Sequence, residues 1–392
     1  MSTNDKLAPG MVLGRYELLL PIAQGGMATV WAARQKGSRG FQKTVAIKTM
    51  LPTLSEDPQF EQMFLDEAAL AAKIHHPNVA EILDLGEQDE VLYLVMEWVD
   101  GEAVSVIHKT ARKNQAQLPM RIALRVGIQA CAGLHAAHEL KDDAGNLVDL
   151  IHRDVSPANV LVSTTGFVKL VDFGVAKSKN RMHVTRAGGM VKGKTPYLSP
   201  EQLGQLALDR RSDIFSFGVL LYVLATGLHP FRGETEGKTI ENIALREPVS
   251  LQAINAKIPI EFERVVFKAL QKDREKRYAT AAELQRALDQ VAVSMGMPAS
   301  DADVADFVRT IIGEASQKRA LEIKAAIASL DGAGSSADLG KAEARPPESK
   351  TPRGGIEAPK PEPLEEPLPT ASTRDISLVS LPADEEISVE AE

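Results

Sequence analysis

Residues 151–159, Ile151-His152-Arg153-Asp154-Val155-Ser156-Pro157-Ala158-Asn159, together with Asp172-Phe173-Gly174, decide how this chain reads. Between them lie two short runs of β-formers, 160–163 and 167–171, on either side of the turn sequence Thr164-Thr165-Gly166. A hairpin there brings Asn159 and Asp172 toward the same end. Two oxygen-bearing side chains so placed can hold Mg²⁺ on a nucleotide, because that ion takes oxygen ligands and shares them with phosphates.

Further out toward the N-terminus, Val45-Ala46-Ile47-Lys48 closes a β-prone run. A helix is expected after it: Asp57 suits the N-cap, Pro58 the first helical position, and apolar residues recur at Phe60, Met63, Phe64, Leu70 and Ile74. Glu67 follows Phe64, Met63 and Phe60 by three, four and seven positions, which puts it on the apolar face. A carboxylate on a buried stripe needs a cationic partner. Lys48 is the candidate, and a solvated acid at the margin of the stripe is the alternative.

Taken in order, Val-Ala-Ile-Lys, a helical Glu, His-Arg-Asp-x₄-Asn, Asp-Phe-Gly and Ser199-Pro200-Glu201 resemble the protein kinases. The stretch Gly25-Gly26-Met27-Ala28-Thr29-Val30-Trp31 and Ser-Pro-Glu-Gln are similar to the eukaryote-like Ser/Thr kinases of bacteria. The resemblance implies an α+β bilobal fold over residues 15–291, a β-rich N-lobe followed by an α-rich C-lobe. It implies ATP and Mg²⁺ as cofactors, and Ser/Thr hydroxyls of proteins, this one included, as phosphate acceptors. Under it, Asp154 takes the hydroxyl proton, Lys48 held by Glu67 meets the α/β-phosphates, and Asn159 and Asp172 hold the metal. Ile22, Gly25, Gly26, Val30, Ala46, Met96, Glu97, Val99 and Leu161 surround the nucleotide. Met96 is the gatekeeper, and residues 97–99 are the hinge whose backbone meets adenine. Glu201 pairs with Arg277, and Asp213 anchors the catalytic loop.

The family pattern is broken in three places. The G-x-G-x-x-G positions fall on Ala23, Gly25 and Ala28, so only the central glycine remains, with Gly26 beside it. The lysine usual two residues after the catalytic Asp is Ser156, and the arginine that tyrosine kinases often place two further on is Ala158. Where a threonine usually follows Gly193 stands Lys194. The small hydroxyl and the ammonium are thus exchanged relative to the family pattern; the expectation is that Lys194 supplies the missing cation to the γ-phosphate, and a solvent-facing Lys194 beside a weakened site is the alternative. Arg153 before the catalytic Asp suits control by phosphorylation of residues 174–199, where Ser178, Thr185 and Thr195 are the acceptors and Thr185, mid-segment, is preferred. A nucleotide-binding pseudokinase acting as scaffold and a small-molecule kinase are the competing readings. The intact Lys48, Glu67, Asp154, Asn159 and Asp172 weigh against the first, and the Ser-Pro-Glu segment against the second.

The rest of the chain agrees. Strands are expected at 16–21, 29–34, 44–49, 79–86 and 91–98, then helices at 119–139, 211–226, 260–271 and 281–293. One or two amphipathic helices are expected within a C-terminal extension, 292–330. From Asp331 on, 14 acidic and 6 basic residues give −8, the whole net charge of the chain, so the first 330 residues are neutral overall. A neutral body lacks the electrostatic footprint of a nucleic-acid binder. The segment 331–392 holds 9 of the 22 prolines and is expected to be disordered, with Pro359-Lys360-Pro361-Glu362-Pro363 a polyproline stretch open to partners. The apolar run 214–228 is too short for a bilayer and contains Ser216 and Gly218. With a single cysteine, Cys131, and no signal-like N-terminus, a soluble cytoplasmic protein is expected.

Overall fold

The computed structural model describes residues 7–25, 28–50, 58–173 and 195–339, with the side chains of 58–60, 63, 67, 195 and 333–339 outside the description. The N-terminal part is a six-stranded antiparallel sheet: β1 (Val12–Leu13), β2 (Tyr16–Gln24), β3 (Ala28–Lys36), β4 (Gln42–Met50), β5 (Ile82–Gln88) and β6 (Val91–Glu97), in the order β1-β2-β3-β4-β6-β5. Helix α1 (Pro58–Ala71) falls between β4 and β5. Period-two alternation divides β4 cleanly. Val45 and Ile47 are buried with Leu18, Trp31 and Val95 on one face, while Thr44, Ala46 and Lys48 stand half-buried on the other. Ala32, Ala46 and Met96 are cross-strand neighbours on that second face.

A short second sheet, β7 (Gly101–Ala103), β8 (Val160–Ser163) and β9 (Val168–Leu170), begins the C-terminal part, with α2 (Val104–Lys113) and α3 (Met120–His138) threaded between its first two strands. Then follow α4 (Pro200–Leu203), α5 (Arg211–Thr226), α6 (Glu236–Leu245), α7 (Leu251–Ile254), α8 (Ile260–Ala269), α9 (Ala281–Ser294) and α10 (Asp301–Leu339). The apolar run flagged as too short for a bilayer is α5. It is buried from Ser212 to Leu224 and stops where Gly227 takes φ 72°, the left-handed cap that glycine adopts without a Cβ penalty. Among the described residues no helix is long and apolar enough to cross a membrane.

The expected strands and helices are present with ends shifted by a few residues. The C-terminal extension is one helix, and it continues past Leu330 to Leu339, so the tail starts later than composition suggests. The physical reason is tertiary. Leu330 packs near Leu19, and Asp331 pairs with the buried Arg34. Residues 340–392, including the polyproline stretch, lie outside the described residues.

Candidate active site

Each functional side chain is held by a backbone arrangement that the local sequence explains. Asp213, in the first turn of α5 and 1% exposed, accepts the backbone N–H of His152 at 2.7 Å and of Arg153 at 2.8 Å. Its Oδ2 also meets Nε2 of the buried His138 at 2.8 Å. These bonds hold Arg153 at φ 64°, a left-handed conformation costly for a residue with a Cβ. Gln202 adds a hydrogen bond from its Nε2 to the Arg153 carbonyl at 3.1 Å. The loop that carries Asp154 is thereby tied to the α4 and α5 helices behind it.

Asp154 is 7% exposed and Asn159 5%. Asn159 Nδ2 donates to Asp154 Oδ2 and to its carbonyl oxygen, both at 2.9 Å. With its amide nitrogen committed, Asn159 has a carbonyl oxygen to offer a cation. Across the β8–β9 hairpin stands Asp172, at φ 56°, whose Oδ1 accepts from Lys48 Nζ at 2.9 Å. His152 and Phe173 pack ring to ring at 4.5 Å, both buried, which fastens the two motifs together. Val171 N donates to the Asn159 carbonyl at 3.0 Å, so the hairpin closes as its turn sequence demands. Asn159 and Asp172 flank the same end of the β8–β9 hairpin, and their two side-chain oxygens could not cage a metal alone but would suit one that shares its ligands with phosphates.

On the sheet face above, Ile22, Val30 and Ala46 are half-buried and Met96 is buried, while Leu161 of β8 is half-buried below. Gly25 N donates to the Ala28 carbonyl at 2.9 Å. The Glu97 side chain turns away, to Lys169 Nζ at 2.5 Å and to the N–H of Glu81 at 2.9 Å. The chain then passes Trp98 and Val99 into β7. Glu67 lies on α1, but its side chain is outside the described residues, as are Gly26, Ser178, Thr185 and Lys194 altogether and the side chain of Thr195. The Lys48–Glu67 pair and the exchange between Ser156 and Lys194 stay expectations. Ser156 itself, two residues after Asp154, is 7% exposed.

Residues 16–289 match the family model for the protein kinase domain. The chain belongs to the protein kinase family. It is 40% identical over 276 residues to a protein named tyrosine-protein kinase MasK of Myxococcus xanthus, covering 70% of this chain and 43% of that one. It is 34% identical over 283 residues to a probable serine/threonine-protein kinase, CPE1738, of Clostridium perfringens, covering 72% and 39%. The serine/threonine-protein kinase PknB of Mycobacterium leprae is 33% identical over 296 residues, 74% of this chain and 44% of that one. The chain thus spans less than half the length of these curated relatives. The kinase domain of PknI from Mycobacterium tuberculosis superposes with a TM-score of 0.55 at 25% identity, covering 73% of this chain and 99% of the other. The two-lobed fold expected from the motifs is the one found.

The structural partners of the kinase motifs are in place. Arg277, fully buried, meets Glu201 at 2.6 and 2.9 Å, and Ser212 Oγ adds a bond to Glu201 at 2.7 Å. Burial opposes the charge on Glu201, but Arg277 and Ser212 outweigh it and hold the carboxyl below its usual range. Ser199 caps α4 reciprocally with Gln202. What sequence reading missed is the packing around the hinge, where Asp100, Gly101 and Glu102 are all engaged by α10. An amphipathic stripe announced that helix, but not its partner.

Proposed function

We propose that this chain is an active protein kinase that binds ATP with Mg²⁺ in the cleft and transfers the γ-phosphate to Ser/Thr hydroxyls of proteins, its own among them. The observation that carries the reading is a pair of contacts, Lys48 Nζ on Asp172 Oδ1 and Asn159 Nδ2 on Asp154 Oδ2, each at 2.9 Å, joined where Val171 N donates to the Asn159 carbonyl. In it Asp154, steadied by Asn159, orients the acceptor hydroxyl and takes its proton as the new O–P bond forms and the bond from Pγ to the β–γ bridging oxygen breaks, with ADP leaving. Lys48, tied to Asp172, positions the α/β-phosphates. Asn159 and Asp172 would hold Mg²⁺, which neutralises charge on the phosphates. Positioning and charge compensation supply most of the acceleration in such transfers. A nucleotide-binding scaffold would still use Lys48, Asn159 and Asp172, but it would have no use for a proton acceptor at Asp154. The reading places the protein in the cytoplasm and leaves its protein substrates to be found.

The named tyrosine specificity of one relative gives a second reading some support, since Ser156 removes the residue that usually marks a Ser/Thr kinase. One experiment separates them. The full chain is incubated with γ-labelled ATP, with Mg²⁺ and with chelator, as wild type and as Asp154→Asn, followed by phosphoamino-acid analysis. Mg²⁺- and Asp154-dependent phosphoserine or phosphothreonine is expected. Label confined to phosphotyrosine would replace the Ser/Thr assignment, and no Asp154-dependent label would leave a pseudokinase.

A further inference from the structure

The face of β3 that carries Val30 toward the nucleotide also carries Ala32 and Arg34, because residues two apart on a strand share a face. Helix α10 covers that end of the face. Ile323 packs on Leu19 and Ala32, with Ile22, Trp98 and Leu330 around it. Arg34, 1% exposed, donates to Asp331 at 2.9 Å and to Glu17 at 2.9 Å, and Lys36 meets Glu17 at 2.9 Å. Two cations therefore share one carboxylate unless α10 brings the second. Arg34 keeps Glu17 in any case, and Asp331 adds a second carboxylate, so with the helix seated two anions face two cations.

The other end of α10 is fixed on the large lobe. Asp301 accepts from Arg125 at 2.9 and 2.7 Å and from the buried Gln129 at 2.9 Å, and Gln129 in turn accepts from Asn78 at 3.0 Å. Arg309 donates to the Thr164 carbonyl at 2.9 Å. Midway, Arg319 donates to the Gly101 carbonyl at 3.1 Å and pairs with Glu102, the two residues at which the hinge enters the large lobe. From Asp301 to Asp331 an α-helix spans ~45 Å at 1.5 Å per residue. Long helices curve only gently unless a kink-forming residue intervenes. A rod fixed on both lobes and pinned beside the hinge sets their separation.

We propose that α10 is a strap that positions the nucleotide cleft, with Arg319, Ile323 and Asp331 as positioning residues. They act through Ile22, Trp98 and the Gly101–Glu102 backbone to hold the lobes at the spacing where a purine fits between Ile22 and Leu161. The proposal rests on the kinase reading above. It predicts a specific kinetic signature, because interactions that serve the bound nucleotide equally in ground and transition states change KM and leave kcat alone.

The test uses the full chain as wild type, Ile323→Asp, Asp331→Arg, Asp331→Glu and Arg319→Ala. Direct titration with a fluorescent ATP analogue and Mg²⁺ gives Kd, initial rates give KM for ATP and kcat, and melting curves show which variants are folded. Ile323→Asp and Asp331→Arg should raise Kd and KM roughly 5–20-fold with kcat within about twofold, and Asp331→Glu should stay near wild type. Should Ile323→Asp fail to fold, Arg319→Ala, which leaves the apolar seam intact, should still raise Kd by about threefold. Unchanged Kd in folded variants, or a loss of kcat with KM unmoved, overturns the strap. A wild type that binds nucleotide but transfers no phosphate defeats the kinase reading alone, and the Kd series still decides the strap. A wild type that binds no nucleotide defeats both.

Discussion

Asp213 Oδ1 accepts the backbone N–H of Arg153 at 2.8 Å across 60 positions of sequence, and by doing so it holds the residue before Asp154 in a left-handed conformation. That conformation costs on the order of 1–3 kcal/mol and persists only where its surroundings impose it. Asp213→Asn keeps the shape but turns an amide N–H toward one of two backbone donors. A loss of about 2–3 kcal/mol in unfolding free energy is expected, since charge-assisted bonds of this kind contribute that much. The phosphoryl-transfer rate should fall as Asp154 loses its position, while nucleotide affinity holds. Equilibrium denaturation and nucleotide titration of the same variant check both parts.

Lys48 and Asp172 make a different kind of contact. The Lys48 side chain is 14% exposed and that of Asp172 37%, so the pair is a modest contributor to folding and a large one to the site. Lys48→Met should lower the single-turnover rate at saturating ATP by about 10²–10³-fold, the scale on which one preorganised electrostatic contact acts. Its melting temperature should stay close to that of wild type. A rate within tenfold of wild type would remove Lys48 from the catalytic set.

For Glu201 and Arg277 the balance is reversed. Both side chains are buried, so removing one partner strands the other charge, at a cost of about 3–5 kcal/mol. Glu201→Gln should therefore destabilise far more than the double variant Glu201→Met with Arg277→Met, which removes both charges. A double-mutant cycle in urea measures the difference. Additive losses would show that the pair is not acting as a unit.

His229 gives the fold a pH dependence. Its ring packs against Tyr197 at 5.1 Å, its Nδ1 accepts the Phe231 N–H at 3.1 Å, and burial lowers its pKa to about 4. In the unfolded chain the ring titrates at about 6.5. Between these values the unfolded state binds the extra proton, so stability rises with pH from about 4 to about 6.5 and this contribution is complete above that. The slope is about 1.4 kcal/mol per pH unit inside the window, or about 3 kcal/mol across it. His229→Asn, which keeps an acceptor for Phe231, should flatten the stability profile between pH 4.5 and 6 by about 2 kcal/mol. Parallel wild-type and variant profiles would refute the assignment.

The motifs that mark the kinase family were legible because they are contiguous. Asp154 and Asn159 are five apart, and the hairpin after them is announced by its own turn residues. The buried α5 helix was legible from its apolar run. The elements that escaped notice had weak local signals: β7 is three residues with a glycine, and in α2 only Val104, Ile107 and Ala111 are buried among polar or β-branched neighbours. The seam between α10 and the small lobe could not be read, because a stripe of apolar residues states that a face is covered and never by what. Ile323 meets Leu19 and Ala32 some 300 positions away. The end of the helix was misplaced for the same reason, since Asp331 reads as the start of an acidic tail until Arg34 is found beside it.

Two glycines separate conformational strain from close approach. Gly145 and Gly166 have nearly the same backbone, φ 85° and 89°. A Cβ on Gly145 would meet nothing within 4 Å, whereas on Gly166 it would lie 1.8 Å from the Asp301 carbonyl oxygen at the start of α10. Alanine at either position bears the left-handed penalty of about 1–2 kcal/mol. Only at Gly166 must the first turn of α10 also move, weakening the bonds from Arg125 and Gln129 to Asp301. Gly166→Ala should therefore destabilise by at least about 2 kcal/mol more than Gly145→Ala, on the scale set by lost charge-assisted hydrogen bonds. Amide exchange should show the excess concentrated in residues 301–310. Equal losses at the two sites would mean that α10 can shift off the β8–β9 turn at no cost, and that its anchor on the large lobe is weaker than its contacts indicate.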